Sequence, residues 1–343
     1  MLKLGIIGTS WISHEFIKAA HETGHYHLEA VYSRKMKTAQ DFCEPYGVIS
    51  CYTDLVDFLD SELDVVYIAS PNSLHFAQAK LAILAKKHVI IEKPAVTKPS
   101  EWKELMKLAK EHQVYLFEAA RNYQETAFQV VKDFLSNQEI LGANFTFAKY
   151  SSKLPTLLAG EIPNIFSDVY AGGALMDLGV YCLYLAIGFF GAPISSHYTA
   201  QQLPNSVDLY GQGVLIYPEF QVAIQAGKNI TSHLPAEIYT KTGTLTLNAV
   251  AAINQAQFVS HSGEVIDLPL TPCSHVMQEE AEAFAHAIAG HKEAAYLEWL
   301  KRPSRSMKPS TRCVRALEYN LRMKKNERTF STKLERPVRN TWI

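Results

Sequence analysis

Short β-branched runs alternate with stretches whose apolar positions recur every three or four residues across the first third of the chain. Leu2–Ile7, Leu28–Tyr32, Ile49–Tyr52, Asp64–Ala69, His88–Glu92 and Tyr115–Glu118 read as strands. Helical stretches fall between them: one runs to about Thr23, one covers Ala39–Tyr46, and one follows an Asp54 cap to Leu59. A fourth starts at His75 and carries Phe76, Ala79, Leu81, Ala82 and Ile83, and a fifth runs from a Ser100 cap to about His112. Such alternation predicts a parallel, doubly wound sheet.

After Tyr123 the pattern changes. A helix over Glu125–Leu135, a strand over Ala143–Tyr150 and a helical stretch over Ala174–Phe189 are followed by seven alternating segments between Tyr198 and Leu268. These predict a mostly antiparallel sheet, apolar on both faces, with one face on the helices and the other on a second subunit. Two apolar stripes close the chain: Met277, Ala281, Phe284, Ala285 and Ile288, then Val314, Leu317 and Leu321. The expected architecture is an α/β Rossmann domain over residues 1–122 and an α+β domain with a large open sheet over 123–343. The closing helices are expected to pack back on the first domain.

Charge excludes some partners. Lys and Arg number 33 against 34 Asp and Glu, so no global field draws nucleic acid or an anionic membrane. No apolar run approaches the roughly 20 residues of a membrane span. The Met1 end lacks a signal peptide's apolar core. Five scattered cysteines, with no C-x-x-C, point to a reducing cytoplasm and against a zinc site; no metal is expected. The basic run Lys301–Arg305 and the basic tail from Arg322 to Arg339 read as solvated surface.

The chemistry concentrates at predicted strand ends. The first strand runs into Gly8, Thr9, Ser10, Trp11 and Ile12 and then a helix. That context suits a dinucleotide's pyrophosphate, although Ser10 and Ser13 replace the second and third fingerprint glycines; a plain βα turn is the alternative. The second strand ends in Ser33 and Arg34 with no carboxylate, which favours NADP over NAD, since an Arg there accommodates a 2′-phosphate. The fourth strand ends at Ser70, Pro71 and Asn72, with His75 beyond, and the fifth at Glu92, Lys93 and Pro94. Lys93 there reads either as a donor to a substrate hydroxyl or as a solvated strand end. In the second part, Asp177 and Tyr181 stand four apart, which places a carboxylate and a phenol on one helix face. They suit carbonyl–alcohol chemistry; a structural Tyr–Asp pair is the alternative.

In order, Gly8 after a first strand, Ala69-Ser-Pro-Asn72 with His75, Glu92-Lys-Pro94 and Gly172-Gly-Ala-Leu-Met-Asp-Leu-Gly179 resemble the Gfo/Idh/MocA oxidoreductase family over almost the whole chain. The resemblance implies hydride exchange between NAD(P) and a sugar, polyol or cyclic vicinal diol. Many members carry His where this chain has Tyr181; a Tyr there resembles the branch of glucose–fructose oxidoreductase, dimeric dihydrodiol dehydrogenase and NADP-linked D-xylose dehydrogenase. That branch implies Lys93 and Tyr181 as the catalytic pair, Asp177 as an orienting group, NADP as cofactor and a homodimer. The nicotinamide is then expected near Ser70, Asn72 and Lys93, with a nearby ammonium favouring the Tyr181 phenolate. Substrate contacts are expected from Tyr123, Asn164 and Phe166. The alternative function is a non-catalytic sensor of NADP or a sugar with the same fold.

Overall fold

A computed structural model describes residues 1–300 apart from 48, 272, 292 and 293. The expected stripe at Val314, Leu317 and Leu321 and the two basic runs lie outside the described residues.

The first part alternates β1 (Leu2–Ile7), α1 (Trp11–Glu22), β2 (Tyr26–Tyr32), α2 (Met36–Cys43), β3 (Ser50–Tyr52), α3 (Leu55–Asp60), β4 (Val65–Ile68), α4 (Asn72–Leu84), β5 (His88–Glu92), α5 (Pro99–His112) and β6 (Leu116–Ala119). Its six strands are parallel in the order β3-β2-β1-β4-β5-β6. The order reverses beside β1, so the strand ends there border a crevice. β4 is buried throughout and β5 nearly so, as continuous Val and Ile runs require when helices cover both faces.

The second part holds α6 (Thr126–Leu135), β7 (Ile140–Ala148), a short α7 (Leu154–Leu158), a π-turn at Leu175–Gly179 leading into α8 (Val180–Phe190), and then seven strands. These are β8 (Ser195–Gln202), β9 (Asp208–Ile216), β10 (Gln221–Gly227), β11 (Ala236–Thr240), β12 (Gly243–Leu247), β13 (Ala256–Ser260) and β14 (Val265–Asp267), followed by α9 (Gln278–Ile288). The sheet order is β14-β13-β12-β11-β7-β10-β9-β8, antiparallel except where β10 runs parallel to β7. The apolar α8 fills its inner face, where Phe145, Leu215, Val222, Ile224, Ile238 and Leu245 are buried. A Cβ on Gly179 would stand 2.9 Å from Leu175 and 3.1 Å from Ala226, so a glycine there lets the helix approach β10 closely.

The α9 stripe packs back on the first part. Phe284 stacks on Phe117, and Tyr26 donates from its hydroxyl to the Ala281 carbonyl at 2.7 Å. Residues 294–300 are helical and continue this cover, with the Trp102 indole donating to the Leu300 carbonyl.

Two expectations change. Ser100 does not cap α5: Pro99 takes the first helical position and Glu101 receives the Thr97 and Lys98 amides, leaving Ser100 inside the first turn. The outer face of the second sheet is mixed rather than uniformly apolar. It presents Asn144, Thr146, Gln212, Gln225, Glu237 and Thr246 together with Val214, Ile216, Tyr239 and Val259.

Candidate active site

The carboxyl ends of β1, β4 and β5 face the π-turn and the ends of β7 and β10 across a cavity of about 680 Å³. Glu92 and Lys93 enter it from β5, Ser70 and Asn72 from β4, Asp177 and Tyr181 from the π-turn and α8, Arg121 from beyond β6, and Lys228 from beyond β10.

Lys93 is the centre of the polar network. Its Nζ donates at 3.0 Å to Asp177 Oδ1 and at 3.0 Å to the Asp177 carbonyl. A π-turn offsets the helical hydrogen-bond ladder, and here it presents carboxylate and carbonyl to one cation. Lys228, 2% exposed, takes the other carboxylate oxygen, Oδ2. Burial pushes the Asp177 carboxyl up, but Lys93 and Lys228 together hold it well below the usual range. Burial pulls Lys93 down, but Tyr181, Asp177 and Glu92 outweigh it and raise its ammonium above the ordinary value.

Tyr181 lies between cations. Lys93 Nζ is 5.0 Å from its ring centroid and Arg121 Cζ is 5.6 Å away, while Phe147 meets the ring edge-on. The phenolate expectation needs correction. Burial raises the Tyr181 phenol more than Lys93 and Arg121 lower it, so the net shift is upward. At neutral pH the group is a phenol, ready to donate.

Two neighbours serve as braces. Glu92 accepts from the Tyr67 hydroxyl at 2.6 Å and from the Lys93 amide at 3.0 Å. His75 is 1% exposed, and its ring nitrogens contact the Ser70 carbonyl at 2.7 Å and the Pro94 carbonyl at 3.1 Å. It ties the two strand-end loops together; burial lowers its pKa. Asn72 donates to the Ala171 carbonyl at 2.9 Å, and Ser70 donates to Gln78.

The strand ends fit a dinucleotide. Gly8 has φ of +105°, and a Cβ there would lie 2.5 Å from the Ala69 carbonyl oxygen, so only glycine lets the β1 turn close against β4. Ser13 Oγ holds the Gly8 carbonyl at 2.7 Å. No side chain caps α1, which leaves its first amides to an anion, and Trp11 and Ile12 line the cavity. Ser33 and the exposed Arg34 follow β2, with Pro71 before α4; they and Thr9 and Ser10 stand outside the cavity lining.

The expected substrate contacts are not brought together. Tyr123 is 8% exposed and packs edge-on against Phe128 and Tyr184; Phe166 is fully buried; Asn164 is exposed away from the cavity. The rings of Tyr123 and Phe166 serve the core instead. The residues missed in sequence are Arg121, Phe147, Lys149, Tyr150, Ser151, Ser152 and Lys228. Lys228 had a faint signal, since it follows the Gln221–Ala226 strand pattern just as Lys93 follows His88–Glu92.

A parallel sheet with an open glycine turn, facing a Lys–Asp–Tyr cluster, defines a dinucleotide-dependent oxidoreductase. Residues 2–120 match the Gfo/Idh/MocA oxidoreductase family, NAD-binding Rossmann fold. The chain is 37% identical over 293 residues to the uncharacterized oxidoreductase YgjR of Escherichia coli, covering 85% of this chain and 89% of that one. It is 32% identical over 294 residues to scyllo-inositol 2-dehydrogenase (NADP(+)) IolU of Bacillus subtilis, covering 85% and 90%. The chain belongs to this family. A 3-ketoreductase from Actinomadura kijaniata, solved with NADP and TDP-benzene, shares the fold at a TM-score of 0.78 and 23% identity, covering 89% of this chain and 94% of that one.

Proposed function

We propose that the protein is an NADP-dependent dehydrogenase or reductase that exchanges hydride with a ring hydroxyl of a sugar, cyclitol or cyclic vicinal diol. The observation that carries this reading is Lys93, bound at 3.0 Å to Asp177, with its ammonium 5.0 Å from the Tyr181 ring at the sheet's carboxyl edge. Bound NADP supplies the hydride acceptor or donor. Gly8, the α1 amides, Ser33 and Arg34 hold its phosphates, and Ser70, Asn72 and Lys93 border its nicotinamide. IolU, which is named for NADP, supports the cofactor choice.

Tyr181 and Lys93 bind the reacting oxygen. In reduction hydride would reach the carbonyl carbon, the phenol donates its proton to the forming alkoxide, and Lys93 stabilises the charge left on the Tyr181 oxygen. In oxidation the proton returns along the same path. Asp177 fixes the Lys93 ammonium at the oxygen. The outer face of the second sheet is the proposed dimer surface.

The test is NADPH formation with NADP⁺ and a panel of aldoses, polyols, inositols and cyclic diols. Tyr181→Phe should lose about 10²–10⁴-fold in turnover while keeping NADPH affinity. Unchanged turnover in that variant would remove Tyr181 from the chemistry.

A further inference from the structure

We propose that the substrate is an anionic cyclic polyol, a sugar acid or sugar phosphate, whose charged group is received by Lys149 and the serines that follow it. The inference rests on the hydride-exchange reading above and narrows its substrate class.

The cavity lining is unbalanced in charge. Lys93, Arg121, Lys149 and Lys228 face it against only Glu92 and Asp177. Both carboxylate oxygens of Asp177 are taken by Lys93 and Lys228. Glu92 is turned to the Tyr67 hydroxyl and the Lys93 amide. Among the described residues, no ion pair joins Arg121 or Lys149 to a carboxylate. Even with both acids ionised, the lining keeps an excess of two positive charges.

Lys149 is exposed, and hydrogen bonds hold its backbone. The Lys149 amide donates to the Gly227 carbonyl at 2.9 Å, the Ser151 amide to the Lys228 carbonyl at 2.9 Å, and the Tyr150 amide to Thr231 Oγ1 at 3.3 Å. The ladder between β7 and β10 thus continues past both strands and sets Lys149 beside the chain that carries Lys228. Ser151 Oγ accepts from the Lys153 amide, so its proton is free to be donated. Ser152 adds an exposed hydroxyl at the same wall. An ammonium and two hydroxyls along one cavity wall are the donor types that receive carboxylate or phosphate oxygens. A neutral polyol leaves the excess charge uncompensated, so the subsite discriminates by charge.

The competing anion is the cofactor's own pyrophosphate, since Trp11 and Ile12 line the same cavity. The experiment separates the two. Initial rates with NADP⁺ are compared for D-glucose, D-glucuronate and D-glucose 6-phosphate, and for galactose and inositol counterparts. An anionic member should exceed its neutral parent at least tenfold in kcat/KM, with the advantage shrinking as salt rises. Whether the carboxylates or the phosphates win distinguishes the two sources. Lys149→Gln should bring the anion-to-neutral ratio toward one through a higher KM for the anion. Equal rates for neutral parents, or a Lys149→Gln variant that weakens NADP binding with the ratio intact, overturns the proposal. If nothing in the panel turns over, the hydride-exchange reading fails there. Calorimetric titration of the NADP-loaded protein with glucuronate and with glucose still decides the subsite: glucuronate binding no tighter than glucose overturns it.

Discussion

The half-buried Asp177 at the working crevice and the buried acids behind it solve the same problem differently. Asp177 faces the cavity and is neutralised by two ammonium groups, Lys93 and Lys228. Glu118, Glu125 and Glu280 lie behind it at 8%, 8% and 1% exposure. Burial dominates there and pushes Glu118 and Glu125 each up to about 7, and Glu280 well above the ordinary value of 4.5. Taking an ionised carboxylate out of water is costly unless a cation repays it. At Asp177 the repayment is made with lysines. Behind it burial shifts the acids toward the protonated form instead. A charge kept ionised beside the cavity can act on substrate, whereas a protonated acid in the interior is structural.

The largest effect should come from removing the cation that both holds Asp177 and reaches Tyr181. Lys93→Met should lower turnover by about 10²–10⁴-fold. It should also raise the pH at which Asp177 titrates, because only Lys228 remains. Turnover near the wild-type rate would show that the cluster is a structural ion network. The next effect is on stability. Asp177→Asn leaves Lys93 and Lys228 facing each other without a carboxylate. Since the Asp177 side chain is 31% exposed, the expected cost is about 2 kcal/mol, less than for a fully buried pair. Chemical denaturation at pH 7 measures it.

The comparison predicts opposite pH dependences. Asp177 has a depressed folded-state pKa, so its stabilisation is present above its ordinary value of 3.8 and is lost as pH falls below it. Glu118 and Glu125 have raised folded-state values, so stability is fully present below 4.5 and declines as pH rises from there to about 7. Glu118 accepts the Ala95 amide and Glu125 the Ile253 amide, and Gln can keep both bonds. Melting curves of Glu118→Gln and Glu125→Gln should therefore match wild type near pH 4.5 and rise above it at pH 8. Parallel curves at both pH values would mean these acids are ionised in the folded protein.

Much of this arrangement was legible in the chain, and the remainder was hidden for identifiable reasons. β5 falls on His88–Glu92 as its β-branched run requires, and Asp54 caps α3 by accepting the Val56 and Asp57 amides. All seven late strands occur, because period-two alternation over a half-buried sheet is a strong signal. The π-turn was not visible, since Leu175–Gly179 carries the same apolar spacing as an α-helix. Lys228 and Lys149 depend on the parallel pairing of β10 with β7, some 80 residues apart in sequence, for which no local pattern exists. Tyr123 and Phe166 failed as substrate contacts because an aromatic ring in a predicted loop reads the same whether it faces a cleft or fills a core.

The finest test concerns Glu280. Neither of its carboxyl oxygens has a hydrogen-bond partner among the described residues, and Glu92 and Glu125 raise it further while Arg121 lowers it. A protonated acid in that pocket is already neutral, so Glu280→Gln exchanges one neutral polar group for another of the same shape. Its stability near pH 4.5 should lie within about 1 kcal/mol of wild type, as expected when no charge is removed in either state. The variant should gain on wild type as pH rises above 4.5, because the unfolded glutamic acid ionises there while burial keeps the folded one protonated and the amide titrates in neither state. A loss of several kcal/mol at pH 7 would mean that Glu280 is ionised and bound to Arg121. The rear acids would then be held as Asp177 is, and the distinction between the cation-paired acid at the cavity and the protonated acids behind it would collapse.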